Sequence, residues 1–186
     1  HLPPAEGFEA VGSAAHREAF RAMRRAGLTR VGTAPRPELG ENPLFLGCHP
    51  FRTTQASSPV DTKVAFGPWM AQRLGEALVT PTDPEEGDIA RAVDAARGHS
   101  ALVLGTYNAH VKRGQLRLLA ALAGLGLPMA CVALRDPYDL AALPENVYGL
   151  AAYEYNIESL DTVAQALAGD FTPAGRLPVP LEGGQP

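Results

Sequence analysis

At 186 residues the chain can bury roughly 70% of the surface its unfolded form exposes, so a single core can hold it without disulfide staples. With 16 Lys and Arg against 20 Asp and Glu, the formal charge is −4 and the two signs are interspersed, so no basic face invites nucleic acid or anionic lipid. No run reaches the roughly 20 apolar residues of a membrane span, and the opening HLPPAEGFEA has neither the basic start nor the apolar segment of a secretory signal.

The expected compartment is the cytoplasm. Secretion is the open alternative, because an initial His in place of Met is compatible with processing. Cys48 and Cys131 each lie inside an apolar run, where a free thiol behaves as a small hydrophobe; two reduced core thiols are expected rather than a bridge.

Residues 1 to 12 are rich in Pro and Gly without period and read as a linker or arm, leaving 13 to 186 as one domain. Ser13 is an N-cap for a first helix in which Ala19, Phe20 and Met23 share a face, with Gly27 as its C-cap. Leu28 to Val31 is a short strand, and PLFLGC, Pro43 to Cys48, is an apolar run suited to a strand buried on both faces. The hydroxyl-rich segment after it is longer than an ordinary strand-to-helix link. Asp61 to Glu76 reads as a helix, with Val64, Ala65, Trp69 and Leu74 inward and a break or kink at Gly67-Pro68. Ala77 to Thr80 is a strand and Asp88 to Arg97 a helix. Ser100 to Thr106 is a central strand, Gln115 to Leu125 a helix, and Leu127 to Leu134 another strand. Val147 to Tyr153 is the last core strand, before a helix over Glu158 to Ala168.

Strand and helix alternate throughout, and the strands are apolar along their whole length rather than at every second residue. This predicts an α/β fold: a mostly parallel open sheet of five to six strands with helices on both faces, a three-layer sandwich. Right-handed crossovers then put the strand-to-helix loops on one edge, where open α/β sheets bind ligands.

Four loops would share that edge: His49 to Ser58, Thr106 to Val111, Arg135 to Asp139, and Tyr153 to Ile157. They hold most of the unusual polar residues. The candidate saccharide contacts are His49, Arg52, Thr106, Tyr107, Asn108, Asp136, Tyr153, Glu154 and Asn156, because tyrosine faces and directional amide and carboxylate groups suit a hydroxylated surface. The same residue types also cap helices and close loops in any α/β protein. No histidines have His-x-x-x-His spacing, and Cys48 and His49 should point to opposite faces, so neither a metal nor a cofactor is expected. No Gly-x-Ser-x-Gly elbow surrounds Ser57 or Ser58, and Gly124-Leu125-Gly126 reads as a helix end rather than a phosphate cradle. The carboxylates on the edge, Asp136, Asp139, Glu154 and Glu158, lie in no motif that would tune one as acid and another as nucleophile.

The block RDPYDLAALPENVYGLAAYEYNIESLDTVAQALAGDFTPAGRLPVPL, Arg135 to Leu181, resembles the end of the C-terminal α/β domain of family 3 glycoside hydrolases, most closely the bacterial β-N-acetylhexosaminidase branch. The likeness is most specific at Ala174-Gly175-Arg176-Leu177-Pro178-Val179. It extends to VGSAAHREAFRAMRRAGLTRV and SALVLGTYNAHVKRGQLRLLAAL. The resemblance implies that the nucleophilic aspartate comes from a separate catalytic barrel domain. In the β-glucosidase branch a glutamate acid/base can follow the strand that here reads ALVLG; this chain has Thr106-Tyr107-Asn108 in that place. In the hexosaminidase branch the usual proton donor is a barrel-loop histidine, so neither His49 nor His110 is given that role.

The implied part is therefore accessory, with no catalytic residue of its own. Its partners would be the barrel and a saccharide containing N-acetylglucosamine. A homodimer is an open alternative, as is a freestanding carbohydrate-binding or protein-interaction module derived from the domain.

Overall fold

The computed structural model describes residues 11 to 51 and 64 to 181. In chain order the elements are α1 (Ala14–Gly27), β1 (Thr29–Val31), β2 (Pro43–Gly47), α2 (Phe66–Ala71), β3 (Glu76–Val79), α3 (Glu86–Ala96) and β4 (Ala101–Thr106). They continue with α4 (Gly114–Ala123), β5 (Met129–Ala133), a 3-10 turn (Pro137–Leu140), β6 (Tyr148–Ala151) and α5 (Ile157–Ala168).

The strands form one six-stranded sheet in the order β1-β6-β5-β4-β2-β3, parallel except for β1, which runs antiparallel to β6. The expected parallel sandwich is thus present, with an antiparallel strand added at one edge. Alternate residues of the four inner strands, β2, β4, β5 and β6, feed two cores. Phe45, Val103, Val132 and Leu150 face Phe66 and Met70 of α2 and Leu160 and Val163 of α5. Leu44, Leu46, Leu102, Leu104 and Cys131 face Ala92 and Ala96 of α3 and Leu118, Leu119 and Leu122 of α4. Each fully buried leucine contributes about 1.5–3 kcal/mol relative to exposure. Both faces being covered explains why the strands read as unbroken apolar runs. Cys48 and Cys131 are free and buried, as expected.

The helix expected over Asp61 to Glu76 is corrected. Its first residues, up to 63, lie outside the described residues; Val64 and Ala65 precede the helix, α2 stops at Ala71, and Glu76 already belongs to β3. Gly67-Pro68 does not kink this helix because it lies in the first turn, where the proline's missing N–H removes no intrahelical bond. Val64, Ala65 and Trp69 do pack toward the core, whereas Leu74 is exposed. Gly105 in β4 makes room for α2: a Cβ there would lie 2.6 Å from the Phe66 ring.

Helix α1 begins as expected, with the Ser13 hydroxyl accepting from the His16 N–H at 3.3 Å. Gly27, expected as its C-cap, is the last helical residue, and Leu28 takes the cap position. The Ala19, Phe20 and Met23 face is not covered. No residue of α1 is buried, and Phe20 and Met23 are 48% and 68% exposed. Polar tethers hold the helix instead: Arg24 to Glu154 at 2.8 Å and to Asn156 at 3.0 Å, and Arg25 to Gln165 at 2.8 Å.

The loop after β2 leads to α2 on one face of the sheet, and the loop after β4 leads to α4 on the other. β2 and β4 are neighbours, so the crevice between their carboxyl ends is the topological switch point, the usual place for a ligand in an open α/β sheet.

Candidate functional site

The parallel pairing brings the ends of β2, β4, β5 and β6 to one edge, as the alternation implied. Seven of the nine candidate residues divide there into three environments. His49 is exposed at the end of β2, and Arg52 lies outside the described residues.

At the end of β4, Thr106 is fully buried and Tyr107 and Asn108 nearly so. The Tyr107 ring meets Phe51 and Tyr155 edge-on, with centroids 5.1 and 5.5 Å away, and its hydroxyl accepts from Arg135 at 3.1 Å. The buried Gln115 side chain pins the Tyr107 backbone, accepting from its N–H at 2.9 Å and donating to its carbonyl at 3.1 Å. Tyr155 in turn accepts from the Phe66 N–H at 2.6 Å and donates to the Cys48 carbonyl at 2.9 Å, joining three loops. Burial pushes the Tyr155 hydroxyl pKa up, so it stays neutral in this role. Asn108 adopts a left-handed φ of 53°, a conformation asparagine tolerates better than most residues. Its Nδ2 is buried without a hydrogen-bond partner. These residues present little surface to a ligand; they hold the rim.

At the end of β6, Tyr153, Glu154 and Asn156 gather round Arg24. Tyr153 has a φ of 63° and hydrogen-bonds through its hydroxyl to Thr29 at 3.0 Å. Asn156 caps α5 by accepting from the Ser159 N–H at 2.9 Å, while Glu154 is exposed and pairs with Arg24 at 2.8 Å. Tyr153 and Glu154, with Phe20, Met23, Leu28 and Thr162, line a groove of about 220 Å³ between α1 and α5.

The third environment lies at the ends of β4 and β5, where Asp136 caps the 3-10 turn by accepting from the Tyr138 N–H at 3.0 Å. Beside it, Asp139 Oδ1 accepts from both the backbone N–H and Nδ1 of His110, at 3.0 and 2.9 Å. The Asp139 side chain is 0% exposed and that of His110 35%. Composition hid this pair: His110 and Asp139 are 29 residues apart, and only the β4–β5 register makes them neighbours.

This edge offers polar contacts and one imidazole held by a carboxylate. Burial pushes the Cys48 thiol pKa up from 9.0 to about 12 and raises that of Cys131 too, so neither sulfur is an activated nucleophile. Among the described residues no group of three His, Cys, Asp or Glu side chains could hold a metal ion, and no helix is long and apolar enough to cross a membrane.

No protein-family model matches the chain, and no curated protein matches it. Solved structures do. A family 3 β-N-acetylglucosaminidase from Paenibacillus sp. str. FPU-7 superposes with a TM-score of 0.77 at 21% identity, over 91% of this chain and 33% of that one. A fungal multi-domain family 3 β-N-acetylglucosaminidase gives 0.71 at 20% identity, over 91% of this chain and 20% of that one. A β-glucosidase from Listeria innocua gives 0.67 at 16% identity, over 92% of this chain and 28% of that one. The chain thus spans about a third or less of the length of these enzymes. Over the matched 91–92% of its length, the chain has the α/β-domain fold seen in family 3 glycoside hydrolases.

Proposed function

We propose that this chain is the accessory α/β part of a family 3 glycoside hydrolase resembling the β-N-acetylhexosaminidases, with the nucleophilic carboxylate supplied by a catalytic barrel outside it. Its sugar would be β-linked N-acetylglucosamine, as in peptidoglycan. The observation that carries this reading is the match of 91% of the chain to only 33% of a family 3 β-N-acetylglucosaminidase. Two features support it. The segment Thr106-Tyr107-Asn108 has no carboxylate to serve as acid, and its residues are buried as rim supports. Helix α1, in turn, presents Phe20 and Met23 on a face that nothing in the described chain covers, the surface we assign to the barrel. His49, Asp136, Tyr153, Glu154 and Asn156 are the side chains assigned to the rim of the shared cleft.

Two measurements test this reading. The intact mass of the protein purified from its source should be that of a barrel plus this domain; a mass of 19.6 kDa would instead favour a freestanding binding module. The chain by itself should release no chromophore from an aryl N-acetylglucosaminide. Turnover in a preparation free of larger enzyme, lost on Asp136→Asn or Glu154→Gln, overturns the accessory role.

A further inference from the structure

We infer that His110, Asp136 and Tyr138 form a contact site for adjacent hydroxyl groups of a pyranose ring, with Asp139 as the residue that positions the imidazole. Asp139 Oδ1 accepts from the backbone N–H and from Nδ1 of His110, so the Nδ1 proton is committed inward and Nε2 is left facing the edge. On that side Asp136 Oδ2 lies 3.8 Å from Nε2, too far for a hydrogen bond between them. Nε2 and Asp136 Oδ2 at that separation can each hydrogen-bond to one hydroxyl of a vicinal diol. The Tyr138 ring stands beside them, its centroid 6.4 Å from the imidazole and its surface 38% exposed, and offers an apolar face to the C–H side of a sugar.

Other chemistries fit less well. Asp136 and Asp139 sit at opposite nitrogens of the ring, so they do not converge on a cation. The neighbouring Cys131 thiol is buried and held neutral, so the imidazole has no nucleophile there to activate. A clamp joining the two loops could be made with one hydrogen bond from the His110 backbone. Fixing the ring as well, with a carboxylate whose Oδ2 is buried without a hydrogen-bond partner, orients the exposed nitrogen and is the kind of cost found at binding sites. Only the choice of N-acetylglucosamine rests on the proposed function; the preference for a hydroxyl pair stands on the geometry.

The test is a titration of the 15N-labelled full chain with methyl β-N-acetylglucosaminide and methyl β-glucoside, read at the His110 ring nitrogens. The expected result is a shift at Nε2 with little change at Nδ1, and binding at least about tenfold weaker in Tyr138→Ala and in Asp136→Asn. Both variants keep the His110–Asp139 pair, so they test the contact without unseating the loop. Asp139→Asn should move the resting Nδ1 signal and also weaken glycoside binding, whereas a carboxylate with only a structural role would move the signal and leave binding unchanged. Absence of an Nε2 shift with either sugar at millimolar concentration overturns the proposal, as does binding unaffected by both variants. Failure of the accessory-domain reading would appear in the intact mass and would leave these titrations unchanged.

Discussion

Gly175, in the stretch that carries the strongest resemblance, has a physical reason to be glycine. A Cβ there would lie 2.5 Å from the Gly27 carbonyl oxygen and 2.8 Å from that of Leu28, both backbone atoms that cannot swing aside. Its own N–H donates to the Leu28 carbonyl at 3.1 Å, which lays the C-terminal segment against the α1–β1 junction. Gly175→Ala should therefore cost about 1–3 kcal/mol, read as a lower urea midpoint with unchanged slope. The motif was legible in the sequence and its cause was not, because the atoms that exclude a side chain lie nearly 150 residues upstream. The candidate contacts divide in the same way. Asp136, Glu154 and Asn156 are legible as polar residues after strands; Asp136 and Asn156 cap the 3-10 turn and α5, and Glu154 pairs with Arg24 in the last turn of α1. No spacing rule joins His110 and Asp139, so their pairing is not legible in the sequence.

Among the elements, α1 behaves unlike the rest. Its sequence has a clear apolar face, and periodicity alone would bury that face in the chain's own core. In the structure the two sheet faces are already covered by α2 with α5 and by α3 with α4, leaving α1 held by Arg24 and Arg25. The double substitution Phe20→Glu with Met23→Glu should change the stability of the isolated chain by no more than about 0.5 kcal/mol, the usual range for exposed positions. Removing a core phenylalanine would cost about 3–5 kcal/mol, so equilibrium urea denaturation separates the two cases clearly. The misjudged second helix has a related origin. Apolar residues before and after Gly67-Pro68 matched a helical period, but the chain uses Val64 and Ala65 as an extended lead-in and lets Pro68 take the first turn.

At the scale of the whole molecule, burial of acids that must remain neutral sets a limit at high pH. The Cys48 thiol is held up to about 12 by burial, with the negative charge of Asp139 adding to it, and Cys131 and Tyr155 are raised chiefly by burial as well. A folded pKa above the unfolded one means stability that is complete below the unfolded value, near 9.0 for the thiols, and is lost as pH rises toward the folded value. Each thiol should lower stability by about 1.4 kcal/mol per pH unit above about pH 9. The urea midpoint should fall across that window, and Cys48→Ala should remove one thiol's share of the fall.

The sequence by itself determined the layers. Apolar runs bounded by turns and alternating with helical periods leave few ways to bury both faces of each strand other than a parallel sheet between helices. It also placed the strand-to-helix loops along one edge, because crossover handedness follows from local chain geometry. Only the tertiary structure decided the strand order, the antiparallel β1, the exposed face of α1, and which edge residues are supports and which are accessible. Those depend on contacts between residues far apart in the chain. The hydrophobic effect that drives such contacts is non-directional, so composition sets how much surface is buried, and packing settles which surface it is.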